Sequence, residues 1–221
     1  MQSLYKVKKV DNKLQINGDW NKTVWNLTAS LKIVNDNKWE MDFKPKTEVK
    51  LLYDDSFICL IYKVEDQFVK CVTDKINGPV WRDSCVEFFF APNVDEPNRY
   101  FNLEINCGGT ALMSYQKISK VEKISVSEND IKQIKMFSSM QEIIEKEITE
   151  PVTWVLELAL PIKILQNYSD ISLPRTGIKW NANFYKCAEN NSHPHWLSWT
   201  EINSDKPNFH QPLFFGEIEF E

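Results

Sequence analysis

The run Phe57-Ile58-Cys59-Leu60-Ile61-Tyr62 is apolar at six successive positions. In an extended chain neighbouring side chains point to opposite faces, so this run must be covered on both sides and belongs in the middle of a β-sandwich. Residues 49–53 precede it across Asp54-Asp55-Ser56, which reads as a hairpin turn. The rest of the chain follows the same grammar, short β-like runs separated by turn residues, with little sustained helical periodicity. Leu14-Gln15-Ile16 leads into the turn signal Asn17-Gly18-Asp19 and then to Trp20 and Trp25. Residues 85–91 form a run that stops at Pro92, followed by the polar loop 93–98.

Residues 100–107 give the cleanest strand pattern. Phe101, Leu103 and Ile105 face a core, while Asn102, Glu104 and Asn106 form a wholly polar opposite face, and Cys107-Gly108-Gly109 closes the run. Residues 154–160 place Trp154, Leu156, Leu158 and Leu160 on one face, and Pro161 then opens a short helix over 162–167. In 179–187, Asn181, Asn183 and Tyr185 oppose Trp180, Ala182 and Phe184; a last run covers 214–220. Segment 117–150 is rich in Lys and Glu and reads as a solvated edge, either a strand plus loop or a short helix.

Seven to ten strands, with no internal repeat, low-complexity tract or linker, predict an all-β fold: a single-domain antiparallel β-sandwich over residues 1–221, of jelly-roll or immunoglobulin-like type, with one or two short helices. At 221 residues, 43% hydrophobic and 13% aromatic, the chain can fill such a core and is not a disordered one. A net charge of −5 with only three arginines, Arg82, Arg99 and Arg175, argues against nucleic acid as a partner. No stretch approaches the roughly 18 apolar residues of a membrane span, and residues 1–11 are charged where a signal peptide would be apolar. This predicts a cytoplasmic protein, or a periplasmic or extracellular one if a leader was removed; oligomeric state is left open. The five cysteines form no CxxC pair and sit in apolar runs, which predicts buried free thiols.

Glu87, the row Asn102, Glu104 and Asn106, and the pair Asn181 and Asn183 all present polar groups opposite an apolar face. A sheet face lined by carboxylates and amides suits sugars, whose hydroxyls both donate and accept hydrogen bonds. Polar outer faces are also what any sandwich shows to water. Trp81 tips the balance, because it lies between charged neighbours in the loop Gly78-Pro79-Val80-Trp81-Arg82-Asp83-Ser84 just before Glu87. A flat indole stacks on the C–H face of a pyranose while carboxylates take its hydroxyls. Trp196, Trp199 and Phe209 offer further aromatics, whereas Trp20, Trp25, Trp39, Trp154 and Trp180 read as core or edge packing.

The alternative is a glycoside-active hydrolase using Glu87 and Glu104, since glycosidases work with two carboxylates about 5–10 Å apart. No GxSxG, P-loop, GxGxxG or Cys/His signature is present. His193, His195 and His210 with Cys187 make only a loose set of metal-ligand types, without helical i, i+4 spacing, so neither a metal site nor a cofactor is expected.

The segment Val80-Trp81-Arg82-Asp83-Ser84-Cys85-Val86-Glu87-Phe88-Phe89 resembles the Trp-x-Asp-Ser-x-Glu-x-Phe stretch of carbohydrate-binding module family 9, within the wider DOMON-like superfamily. Further pieces fall in that family's order: Asn17-Gly18-Asp19 with Trp25, Tyr53-Asp54-Asp55, Tyr100-Phe101-Asn102-Leu103-Glu104-Ile105-Asn106, Asn183-Phe184-Tyr185, Leu197-Ser198-Trp199 and Asn208-Phe209-His210. The resemblance implies a non-catalytic sandwich that binds a saccharide or polysaccharide end between aromatic faces. Trp81 and Glu87 match the family's stacking and hydrogen-bonding positions. Glu104 stands where xylanase-attached members carry Arg, and the second stacking Trp is replaced by Phe209 or a neighbour. Some members bind structural calcium, but no compact acidic loop for it is present here. The ligand-binding set expected from residues and resemblance together is Trp81, Glu87, Asn102, Glu104, Asn183, Trp196 and Phe209. A haem-binding DOMON relative, which would need axial His or Met ligands, is a third reading.

Overall fold

The computed structural model of the chain describes residues 3–11 and 14–221, with 44% strand and 9% helix. The strands begin with β1 (Leu4–Lys9), β2 (Leu31–Ile33), β3 (Lys46–Tyr53), β4 (Phe57–Asp66), β5 (Val69–Cys71), β6 (Cys85–Ala91), β7 (Tyr100–Asn106) and β8 (Ala111–Ile118). They continue with β9 (Glu122–Ser125), β10 (Lys135–Ser138), β11 (Ile144–Ile148), β12 (Val152–Pro161), β13 (Lys179–Ala188), β14 (His195–Ser198) and β15 (Gly216–Phe220). Helix is confined to single turns, α1 (Thr23–Asn26), α2 (Glu128–Ile131) and α3 (Ile162–Gln166), and two 3₁₀ turns. The strand count exceeds the seven to ten expected because β2, β5 and β14 are short flanking pieces, and because segment 117–150 holds β9, β10, β11 and α2 rather than one element.

Thirteen strands join one curled sheet in the order β10-β12-β4-β3-β1-β15-β13-β6-β7-β8-β9, with β2 beside β3 and β14 beside β13. Its two halves are antiparallel, as expected, but β1 runs parallel to both β3 and β15 and stitches the halves together, so the sheet as a whole is mixed. The Asp54-Asp55-Ser56 hairpin forms as read: Asp54 Oδ1 accepts from the backbone N–H groups of Ser56 and Phe57, both at 2.7 Å.

The curl brings the two halves face to face around a common core. Ile58, Leu60 and Tyr62 of β4 meet Phe88 and Phe90 of β6, Leu103 of β7 and Phe184 of β13. Phe88 stacks on Phe90 and Phe184 with ring centroids 4.4 and 5.0 Å apart. The other face of β4, with Cys59 and Ile61, is covered by Trp25 and by partly buried residues of segment 14–24. The outer face of the β6–β13 half, with Phe89, Tyr100, Tyr185 and Cys187, is covered by Trp39, Val80, Ile202, Phe209 and Phe215. One end of the core holds a buried ion pair, Lys186 Nζ 3.4 Å from Asp66 Oδ2. Lys186 also donates to His195 Nε2 at 2.7 Å, and burial together with this cation holds the His195 ring well below its ordinary pKa, hence neutral. All five cysteines are free and buried.

Glu157 projects from the outer face of β12, fully buried, and clasps the cover segment. Its carboxylate accepts from Trp25 Nε1 at 2.8 Å, Lys22 Nζ at 2.7 Å, and the backbone N–H groups of Asn17 and Gly18 at 2.8 and 2.7 Å. Gly18 has φ +73°, and a Cβ there would lie 2.1 Å from the Phe137 ring, so the turn accepts glycine alone. Removing a buried carboxylate that satisfies a cation and three donors leaves all of them unpaired. Glu157→Ala is therefore expected to lower unfolding free energy by about 3 kcal/mol in urea titration. The amides of residues 14–28 are expected to lose hydrogen-exchange protection first. A loss of less than about 1 kcal/mol would mean that the clasp is not a principal support.

Candidate functional site

Strand alternation sends Glu87 of β6, Asn102 and Glu104 of β7 and Gln116 of β8 to the outer face of their half-sheet, opposite the core. The pattern predicted this face but not its burial: Glu87 is 3% exposed, Asn102 2%, Glu104 4% and Asn106 0%. The solvent that the polar face would otherwise meet is displaced by the loop around Trp81, by β14 and by the C-terminal segment up to residue 215. A cleft of about 340 Å³ remains between these covers. Its floor is Glu87, Phe89, Asn102, Glu104, Gln116 and Cys187, and its walls include Trp81, Glu189, Trp196, Phe209, His210, Lys120 and Lys123.

The cleft thus gathers six of the seven residues singled out from the sequence: Trp81, Glu87, Asn102, Glu104, Trp196 and Phe209. Asn183 does not line it. Its side chain is fully buried, Oδ1 accepting from the backbone N–H of Thr200 at 3.0 Å and of Phe184 at 2.9 Å, so it holds the C-terminal cover on β13. Phe209 stacks on Tyr185 with centroids 4.1 Å apart and has Trp39 at 6.0 Å. Only 8% of it is exposed, which leaves little ring face for a ligand. Trp81 and Trp196 are the half-buried indoles of the cleft, and Trp196 Nε1 donates to Glu189 Oε1 at 3.3 Å. Trp196 belongs to β14 rather than to a loop, and Trp199 packs against Phe184 of the core instead of the cleft.

Trp81 is presented by a 3₁₀ turn over Val80–Arg82, and the residue after that turn fixes it. Asp83, 1% exposed, accepts from the backbone N–H groups of Val72 and Thr73 at 3.1 and 2.9 Å and from Asn106 Nδ2 at 2.9 Å. Gly78 gives the turn its entry: a Cβ there would lie 2.7 Å from the Lys75 carbonyl oxygen.

On the floor, Glu87 and Glu104 are directly opposed residues of antiparallel neighbours. Both are pushed above the ordinary carboxyl pKa. Burial is the main cause in each, and for Glu87 the nearby Cys187 and Glu104 add to it. Glu104 reaches about 7, its hydrogen bond from Asn102 and the cations Lys123 and Lys120 restraining the rise. Glu87 is also pushed well above the ordinary carboxyl range, by burial first, and it accepts the Cys187 S–H at 3.1 Å. A chain of amides continues from this pair. Asn102 Nδ2 donates to Glu104 Oε1 at 2.9 Å, Gln116 Nε2 donates to Asn102 Oδ1 at 2.9 Å, and the backbone N–H of Lys120 donates to Gln116 Oε1 at 3.2 Å. His210 closes the wall above, its Nδ1 2.7 Å from the Tyr100 hydroxyl and its carbonyl accepting from Ser119 Oγ at 2.8 Å. Burial and the two lysines drive the His210 pKa down to about 3, so the ring is neutral.

The loose metal-ligand set drawn from the sequence is not brought together. His193 stacks on Phe68 with centroids 3.7 Å apart, His195 meets Lys186, and His210 meets Tyr100. Among the described residues, the three side chains of metal-ligand type that do converge are Cys85, Glu87 and Cys187, their donor atoms within 4.8 Å of one another. Burial raises the Cys85 thiol to about 12, and the Cys187 thiol rises too, chiefly through its bond with Cys85. Gln116, Lys120, Lys123 and Glu189 were missed by the sequence reading. Leu112, Ser114 and Gln116 alternate along β8 as the polar row of β7 does, which was the available signal for Gln116; Lys120 and Glu189 come from turns, where no periodicity marks a face, and Lys123 from β9, a strand of 4 residues exposed throughout.

Comparison with known proteins agrees with this architecture. The chain superposes over 100% of its length on 100% of a Bacteroides uniformis ATCC 8492 protein that is proposed to bind carbohydrate, at 30% identity and a TM-score of 0.89. A family 9 carbohydrate-binding module from Caldicellulosiruptor kristjanssonii, solved with cellotriose, matches 99% of this chain and 94% of its own at 15% identity and a TM-score of 0.67. An extracellular protein of Arthroderma benhamiae (strain ATCC MYA-4681 / CBS 112371) is 20% identical over 204 residues, 85% of each chain. The model of carbohydrate-binding family 9 matches residues 21–220, and with nearly the whole length so covered, the chain belongs to that family.

Proposed function

We propose that the cleft binds the end of a saccharide chain without catalysis, Trp81 and Trp196 offering stacking faces and Glu87, Asn102 and Glu104 hydrogen-bonding the hydroxyls. The observation that carries this reading is the juxtaposition of two half-buried indoles with a buried carboxyl and amide floor in one cleft of about 340 Å³. That volume lies near the lower end of the usual range for small-molecule sites, about 300–1,000 Å³, and suits a chain end rather than a chain. Phe209 serves as apolar backing, and Asn183 supports the cover from behind. Structures of the Caldicellulosiruptor kristjanssonii module with cellotriose and with glucose support a sugar as the ligand class.

With its pKa raised to about 7, the Glu104 carboxyl when protonated donates one hydrogen bond and accepts others, as a hydroxyl group needs of its partner. The same arrangement argues against hydrolysis by Glu87 and Glu104. Glycosidases place their carboxyls on either side of the scissile bond. These two stand side by side on one floor and would address the same face of a ligand.

Isothermal titration with cellotriose and with glucose tests the site. Trp81→Ala, folded by circular dichroism, is expected to weaken binding at least tenfold, and binding equal to wild type would remove Trp81 from the site. The protonation of the floor is testable without ligand. Below about 4.5 both the folded and unfolded chains hold the Glu104 proton; between about 4.5 and about 7 only the folded chain does. Folding therefore binds a proton in that window, and the contribution of this residue to stability falls as pH rises through it, then levels off above about 7. In urea unfolding from pH 4.5 to 8, Glu104→Gln is expected to show a shallower decline than wild type. An unchanged slope would show that Glu104 ionises normally in the folded protein.

A further inference from the structure

The cleft carries a charge asymmetry that the neutral-sugar reading does not use. Lys120, in the turn from β8 to β9, and Lys123, on β9 opposite Gln116, lie on one wall of the cleft. Across the same hairpin Lys117 of β8 pairs with Glu122 of β9 at 3.0 Å, yet among the described residues no ion pair joins Lys120 or Lys123. Both cations act on the cleft interior, since they lower the pKa of Glu104 on the floor and of His210 beside the turn. The turn is also built into the site. Lys120 takes a left-handed φ of +59°, its N–H is held by Gln116, and Ser119 is hydrogen-bonded to the His210 carbonyl. In a chain of net charge −5, two unpaired cations fixed at the lip of a cleft are a local exception. The anionic side chain on the walls, Glu189, accepts the Trp196 indole N–H, and its charge opposes the two lysines at the floor by raising the Glu87 and Glu104 pKa values.

We infer that the cleft prefers a sugar bearing an anionic substituent, held by Lys120 and Lys123 while the ring occupies the aromatic and carboxyl site. This rests on the sugar-binding reading above. Lysine is a flexible point charge, so it serves a carboxylate, a sulfate ester or a phosphate ester alike, unlike the bidentate fork of arginine. Exposed charge pairs each change affinity by about 1.4- to 5-fold and are screened by salt. Two of them thus predict a preference of about two- to thirtyfold at low ionic strength.

The experiment is titration calorimetry with glucose, glucuronate, glucose 6-sulfate and glucose 6-phosphate, at low and at high salt, on the wild type, on Lys120→Gln/Lys123→Gln and on Trp81→Ala. At least one anionic sugar is expected to bind the wild type about two- to thirtyfold more tightly than glucose, with the preference shrinking in high salt and approaching unity in the double variant. Which of the three wins identifies the substituent. Glucose binding with no anionic sugar ahead of it would overturn the inference and leave the sugar site standing. An anionic preference that survives in the double variant would also overturn it. Binding of none of the four sugars would instead count against the sugar-site reading itself, and binding of any of them that is undiminished in Trp81→Ala would place the sugar elsewhere.

Discussion

The register of β6 against β7 and β13 is the constraint on which the rest of this molecule depends. Phe88 pairs with Leu103 and Phe184, and in the same register Glu87 faces Glu104 and Tyr185 on the other side of the sheet. A slip of β6 by one residue would drive the Glu87 carboxyl into the core and push Phe88 out. Full burial of a large apolar side chain is worth about 1.5–3 kcal/mol, and three stacked phenylalanines around Phe88 and Phe184 fix the register with several such contributions. The site is the reverse side of that packing. The carboxyls are where they are because the aromatics could not be elsewhere.

Covering this polar face makes it a cleft, and the covers are held by a separate set of polar residues. Asp83 ties down the Trp81 turn, Asn183 holds Thr200, and Asn37 Oδ1 accepts from Ser198 Oγ at 3.1 Å and from the Ile202 N–H at 2.7 Å. Each is a side chain that substitutes for a missing strand partner, which lets irregular backbone lie buried over the sheet. The described polar groups near the cleft therefore divide into a frame with its hydrogen bonds already spent and a floor with capacity left for a ligand.

The sequence showed the sandwich clearly, because alternation in residues 100–107 and the two-sided apolar run at 57–62 have few other solutions. It showed the floor as well, since period-2 patterning assigns Glu87, Asn102 and Glu104 to one face. It did not show the parallel seam at β1, because a half-exposed edge pattern reads the same whichever way the neighbour runs. Nor did it distinguish Asn183 from Asn102: both alternate correctly, and only the path of residues 198–202 consumes the first. The lysines of the β8–β9 hairpin were read as solvated, since neither the turn nor the short exposed β9 carries a facial signal and their charge pairing is set by tertiary approach.

The amide chain from Glu104 through Asn102 and Gln116 to the Lys120 backbone joins the floor of the cleft to one of its walls. A residue in that chain has two tasks, contacting whatever lies in the cleft and setting how wide the cleft is. Evolution of a new specificity here cannot proceed by exchanging one floor residue at a time, because a change in what Asn102 recognises also releases the turn that Gln116 holds. Divergence among related chains should then arise in the free-standing parts, the two indoles and the tips of the turns, while the amides vary only in concert.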